Sequence, residues 1–316
     1  MFRSNLFSIA FAGALALQVV AAPSAGPHGA AMRRFYANDS FWNVPIGGRA
    51  PLDPNSATIV AQAILPYARN ATLSNSEEWG MPLAYADSSA KVYKIACTIY
   101  CTGDTVSFPI PAGARPATGS DHHLVVIHGN QELDLWEASY DPHRDTWSAG
   151  TRVINDLNGW GAFCREGKHC NGAVASGFAA LGGVVRPEEI AQGHIDHALA
   201  LITPLTKAGY IACPATHTDG RSKSVGAIPE GARVQLDPSF NVDAQSWPAW
   251  QKIIARALQT YGAYVVDTSG ALALRGVTDQ NPGTLTWASV GVPDNAPSLR
   301  NFPWNRLRVL EFRSCN

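Results

Sequence analysis

The stretch SDHHLVVIHGNQELDLWEA, Ser120 to Ala138, gathers Asp121, His122, His123, Glu132, Asp134 and Trp136 into one short segment. An imidazole can move a proton near neutral pH. A carboxylate can orient that imidazole, or act itself as acid, base or nucleophile. An indole offers an apolar platform for the C–H face of a sugar ring. Together these groups fit acid–base cleavage of a polysaccharide in an aromatic-lined groove. Candidate catalytic residues are His123, Asp134 and Asp121, with His197, His217 or Asp219 completing the site. Trp136, Trp147 and Trp160 are candidate platforms, with Glu132 beside them.

Further polar segments were weighed as metal or nucleophile sites. GHIDHA places His194 and His197 in an H-x-x-H pattern, which converges on a metal only if the segment is helical. A strand starting at His197 separates the pair, so no metal is expected. In ATHTDG a disulfide at the neighbouring Cys213 would hold His217 and Asp219 rigidly. No G-x-S-x-G, P-loop or dinucleotide fingerprint is present, which removes the usual serine-nucleophile and cofactor readings. No cofactor is expected.

The elements that must position these groups begin with a hairpin. Gly129-Asn130 suits a two-residue turn because both tolerate positive φ. That turn sets Val125 against Asp134 and His128 against Gln131. Alternation then puts His123, Val125, Ile127, Glu132, Asp134 and Trp136 on one face, and His122, Leu124, Val126, Leu133, Leu135 and Glu137 on the other. The second face is the natural core side, leaving the first for a groove or for plain solvent. Elsewhere, helices are expected over Asn55 to Arg69 (capped by Ser56), Pro187 to Gln192 and Pro248 to Tyr261. Strands are expected within Lys91 to Pro111 and over Ala198 to Thr203 and Arg233 to Leu236. A second hairpin is expected from Ala263 to Leu274. Strands outnumber helices and no repeat divides the chain. The expected fold is a single, mainly-β, disulfide-bonded domain, jelly-roll or β-sandwich-like, with a few packed α-helices.

The ends and the cysteines bear on compartment. Arg3, an apolar run from Leu6 to Val20, and small residues at Val19 and Ala21 read as a signal peptide over 1–21. A flexible Ala/Gly/Pro-rich segment over 22–34 and one domain over 35–316 follow. Six cysteines permit three disulfides in any of 15 connectivities, with local pairing of Cys97 with Cys101 and Cys164 with Cys170 expected, Cys213 then joining Cys315, and a metal site at the close pairs the rival reading. Asn38 and Asn70 lie in glycosylation sequons. Hydrophobic residues make up 46% and charged residues 16%, with a net charge of −1 and no basic run. That excludes wholesale disorder and gives nucleic acid or an anionic membrane no electrostatic footprint. A secreted, extracellular, glycosylated monomer is expected.

Several segments together resemble a family of secreted, largely uncharacterised proteins of actinobacteria and fungi. They are DSFWNVPI, PLDPNSATIV, GGVVRPEEIAQGHIDHAL, PATHTDG, IPEGARVQLDP, LQTYGAYVVD and FPWNRLRVL, spanning Phe41 to Leu310. In that family Asp-Gly-His precedes the aliphatic strand, matching Asp121 and His123, with His122 replacing the glycine. The family's Glu-Leu/Phe-Trp corresponds to Asp134-Leu135-Trp136, one methylene shorter at the acid. The resemblance implies export but no settled activity.

The leading expectation is a carbohydrate-active enzyme cleaving a polysaccharide, and the residues themselves do not choose between a lyase and the commoner glycoside hydrolase, which needs two acids flanking the bond. A polysaccharide lyase would instead use Arg186 or Arg233 to neutralise a uronate. The alternative is a non-catalytic carbohydrate-binding or cell-wall protein.

Overall fold

The computed structural model describes residues 33–48, 50–101, 105–162, 172–281, 285–293 and 295–315. The signal peptide, most of the flexible lead-in, Cys164 and Cys170 lie outside the described residues. Arg34 to Asn316 forms one compact unit.

The chain is mainly β, with a few packed helices. Its strands are β1 (Thr72–Ser74), β2 (Leu83–Tyr85), β3 (Val92–Cys97), β4 (Val106–Pro109), β5 (Leu124–His128), β6 (Gln131–Trp136), β7 (Ser139–Asp141) and β8 (Thr146–Ala149). They continue as β9 (Thr151–Asp156), β10 (Leu199–Thr203), β11 (Thr206–Ile211), β12 (Ile228–Glu230), β13 (Arg233–Leu236), β14 (Ala263–Thr268), β15 (Ala273–Arg275) and β16 (Leu307–Val309). Sheets of four strands run β2-β5-β6-β9 and β4-β3-β8-β7, a third of six runs β1-β15-β10-β14-β13-β16, and β11 pairs with β12.

The first two sheets make a sandwich. Leu124, Val126, Leu133 and Leu135 of β5 and β6 pack with Ile95, Phe108, Trp147 and Ala149 of the opposing sheet in one small core. The other face of β5 sends Val125 and Ile127 into a larger core, shared with Leu73, Leu199, Val265 and Leu274 of the six-stranded sheet. The β5-β6 hairpin is therefore buried on both sides. Parallel pairs β1/β15, β10/β14, β2/β5 and β3/β8 distinguish the arrangement from an all-antiparallel jelly roll.

The hairpin register is the expected one, with Val125 opposite Asp134 and His128 opposite Gln131. Helix α2 (Pro187–Gln192) and strand β13 match their expected bounds, and α3 (Ala249–Thr260) runs one residue inside its expected ends. The segment after Asn55 differs. It is α-helical only over α1 (Ser56–Ile59), then π-helical to Ile64 and 3-10 to Asn70, where Pro66 breaks the α pattern. Ser56 does not cap it, because its Oγ accepts the Val309 N–H at 2.8 Å.

The second expected hairpin is not formed. β10 inserts between β14 and β15, parallel to the first and antiparallel to the second. Its apolar run LALIT suits a strand covered on both faces, and that burial outweighs the short loop that would have paired β14 with β15. The Ser269 to Leu272 connection must instead cross the end of β10, where the Ser269 N–H bonds the Thr203 carbonyl.

Among the described residues two disulfides are formed, Cys97–Cys101 and Cys213–Cys315. The second ties the chain after β11 to the C-terminal segment. No helix among the described residues is long and apolar enough to cross a membrane.

Candidate functional site

A cavity of about 540 Å³ opens where the end of β14 meets β15, β1 and the loop entering β5. Asp121 and His123 line it from the β5 side, Asp267 and Arg275 from β14 and β15, and Trp79 from the turn before β2. The local backbone explains how they arrive. Between Leu201 and Ile202 the pairing shifts so that β14 carries one extra residue against β10. Such a bulge turns the strand and re-aims the side chains beyond it, here Asp267 and Thr268. Arg275 pairs with Ser74 in register on β1 and makes an ion pair with Asp267. Trp79 keeps half of its surface exposed, and its ring lies on Gly119. A Cβ at Gly119 would sit 3.0 Å from that ring and 2.4 Å from the Glu78 carbonyl, so only glycine fits.

The electrostatics of the wall are uneven. Burial, then the negative charges of Asp219 and Asp121, lift Asp267 to about 6 against the pull of Arg275. Its neighbour Glu230 is fully buried and is raised by that burial, and by Asp219 and Asp267, to about 10. His123 goes the other way. Burial, then the Arg275 guanidinium, lowers it to about 3, against a hydrogen bond to the Leu135 backbone, so the imidazole is neutral. Its Nδ1 has no hydrogen-bond partner.

Among the described residues, the set able to hold a metal ion is Asp219, Glu230 and Asp267, whose oxygens lie within 4.8 Å of one another. Only hard oxygen donors are offered, which would suit calcium, magnesium or manganese. Arg275 pairs with Asp267, and burial raises the Glu230 carboxyl to about 10, which favours its neutral form and weakens the set as a cation site.

The cavity thus brings Asp121 and His123 together, with Asp219 just behind Asp267. Asp134 and Glu132 stand elsewhere. Both are fully buried on the face expected to carry a groove, because the Phe178 to Val185 segment lies across it. Asp134 Oδ2 accepts the Ala180 N–H and the Asn155 amide, each at 2.9 Å. Glu132 accepts the Leu181 N–H at 2.9 Å and the Tyr36 hydroxyl at 2.8 Å. Neither carboxyl reaches solvent, so in this structure the pair anchors a covering segment and does not line the cavity.

Other candidates also have structural partners. His197 is buried, with Nε2 2.8 Å from Glu189, whose other contact is Arg186 at 3.0 Å. Arg186 is 3% exposed and stacks on Phe35, so it offers no cation to a uronate. His194 sits 3.1 Å from Asp196, and the two histidines do not converge. Arg233 bonds the Tyr261 and Val44 carbonyls, each at 2.8 Å. His217 is exposed and bonds the Thr216 hydroxyl at 2.8 Å, outside the cavity lining. Trp147 is 4% exposed and is core, not platform. Trp160 is half-buried, and its carbonyl accepts the Ser40 hydroxyl. Trp136 is half-buried, stacks on Tyr100 at 5.8 Å and is not among the residues that line the cavity. Asn38 and Asn70 are both exposed.

His122 also departs from expectation. It is exposed, with its Nδ1 at 3.0 Å from the Ala117 carbonyl and φ at +41°, so regular alternation starts only at Leu124. A positive φ of this kind is one that glycine adopts without strain. Sequence reasoning missed Trp79, Asp267 and Arg275. A tryptophan in the polar SNSEEWG turn and an acid closing the apolar strand AYVVD were the available signals. Searches for known proteins with a matching family model, a similar curated sequence or a similar solved structure found none, so the geometry alone carries the functional reading.

Proposed function

We propose that this is a secreted glycoside hydrolase, with Asp267 as general acid and Asp121 as the second carboxyl, base or nucleophile. The observation that carries it is the single cavity lined by both acids and by a half-exposed tryptophan. A hydrolase needs two carboxyls whose surroundings hold one of them protonated near the working pH. Burial of Asp267 supplies the protonated partner. Arg275 orients it, and Trp79 stacks on the sugar. His123, held neutral, adds no charge to the wall.

Hydrolysis is favoured over elimination because the acids Glu78, Asp121 and Asp267 outnumber the one guanidinium in the cavity lining, that of Arg275. A lyase needs a cation for its uronate. The two disulfides fit folding in an oxidising compartment. The signal-like N-terminus and the resemblance to secreted actinobacterial and fungal proteins support export, and the exposed Asn38 and Asn70 fit glycosylation there. A non-catalytic sugar-binding role has one specific observation behind it, the exposed Tyr100 stacked on Trp136.

The test is a polysaccharide panel followed by reducing ends and by the ultraviolet absorbance of unsaturated sugars. Reducing ends without absorbance are expected, and Asp267→Asn should abolish them. Absorbance with every cleaved polymer would convert the reading to a lyase, and no cleavage of any polymer would remove the enzyme.

A further inference from the structure

A second chamber of about 490 Å³ adjoins the first, and the two share Ser76 and Glu78 as walls. The second is lined also by Glu77, Asp279 and the buried Trp287. The two chambers are lined by the acidic residues Glu77, Glu78, Asp121, Asp267 and Asp279 and by one guanidinium, that of Arg275, with the Asp279 carboxylate already accepting the Trp287 N–H. Arg275 is spent on Asp267. Glu77 and Glu78 are exposed and make no ion pair among the described residues. Asp219 and Glu230 add carboxyls behind the wall. His123, nine-tenths buried in the lining, adds an unpaired ring nitrogen and no positive charge.

Resting on the hydrolase reading above, we propose that the polymer taken by this groove is a cationic polysaccharide, built from sugars with protonated amino groups. A concave wall with an excess of one charge focuses its field into the cleft and concentrates ligands of the opposite sign. Each ammonium along the chain can meet an unpaired carboxylate, with Glu77 and Glu78 beyond the bond to be cleaved and Asp121 beside it. Trp79 supplies what a bare basic peptide would not use, a flat apolar seat for a sugar ring. A polyuronate would bring like charge into the same cleft, and a neutral polymer would leave Glu77 and Glu78 without partners.

Binding is measured by calorimetry on the full chain at mildly acidic pH. The probes are a glucosamine oligomer, its N-acetylated counterpart, an oligogalacturonate of equal length and an oligolysine of equal charge. Cleavage is followed in parallel. The glucosamine oligomer should bind about tenfold or more tightly than the N-acetylated one, the margin should shrink with added salt, and the oligogalacturonate should be weakest. The double variant Glu77→Gln/Glu78→Gln, altered at exposed positions and checked by its melting temperature, should cut that margin by about threefold or more. The proposal is overturned if the N-acetylated oligomer or the oligogalacturonate binds as well, if oligolysine matches the glucosamine oligomer, or if the double variant keeps the margin. Selective binding without product would sink the hydrolase reading and leave this one standing. Cleavage confined to neutral or acidic polymers would do the reverse.

Discussion

The buried Glu132 and Asp134 pair makes a prediction that separates a structural role from a catalytic one. Both side chains are inaccessible to solvent, and burial followed by the charge of Glu132 raises Asp134 well above the ordinary carboxylate range. Glu132 is raised too, first by its own burial. Asp134 Oδ1 receives no donor, which makes it the seat of a proton shared toward Glu132. A carboxyl whose folded value lies above its unfolded one contributes fully below about pH 4 and loses that contribution as pH rises toward the folded value. Between the unfolded and the folded value the loss is about 1.4 kcal/mol per pH unit. Asp134→Asn fixes the neutral form: its oxygen can keep the Ala180 and Asn155 donors, and its amide can point at Glu132. Thermal melts of the two proteins should therefore diverge with pH. The variant should gain on the wild type by roughly 3–6 °C per pH unit within that window, while Asp134→Ala, which strands two donors, should lose ~1–3 kcal/mol for each at any pH. Subtracting the wild-type melt cancels Glu230 and every other titrating group. Parallel melting curves against pH for wild type and Asp134→Asn would refute the shared proton. A loss of turnover in Asp134→Asn with unchanged stability would return Asp134 to the catalytic machinery.

For Asp267, replacement by Asn should lower kcat by about 10²–10⁴-fold while calorimetry still shows substrate binding, and the wild-type rate should fall as pH rises through about 6, where the acid loses its proton. A variant that keeps more than about a tenth of the rate would place the acid elsewhere. Because His123 is neutral down to about 3, His123→Gln should change the rate without removing either limb of the pH profile above about pH 5. Trp79→Ala should raise KM by about 2- to 12-fold with kcat held, the worth of one aromatic contact, whereas Trp136→Ala should leave KM unchanged. The reverse pattern in steady-state kinetics would favour the Tyr100–Trp136 surface. Replacing Cys213 and Cys315 by serine opens a link between residues 102 apart, and should cost about 2–5 kcal/mol in denaturant melts that no longer respond to reductant at that site.

What the sequence disclosed follows from what each signal depends on. Turn chemistry and alternation are local, so Gly129-Asn130 and the β5-β6 register were legible to the residue, as was α2 from its Pro187 and paired glutamates. Strand order is not local. The short AYVVDTSGALAL segment reads as a hairpin, and only the tertiary insertion of β10 shows that its two strands never touch. That insertion carries the site, because it forces the Ser269 to Leu272 crossing that walls the cavity with Asp267 at its foot.

The same distinction decides the polar face of the hairpin. Alternation correctly put Glu132 and Asp134 together, but the inference from polar side chains to a wet surface assumed that a second sheet would cover only the apolar side. Burying two carboxyls is unfavourable unless each finds donors, and here the donors are the N–H groups of Ala180 and Leu181, a long way off in sequence. No local pattern announces that Phe178 to Val185 will lie there. The acids that face solvent-filled space are instead those at strand ends, Asp121 entering β5 and Asp267 leaving β14, where the ladder stops and a side chain can turn into a cavity. A carboxylate inside a strand is therefore weaker evidence for a site than one at its end, and in this chain His123 belongs to the cavity because it precedes β5 rather than because it shares a face with Asp134.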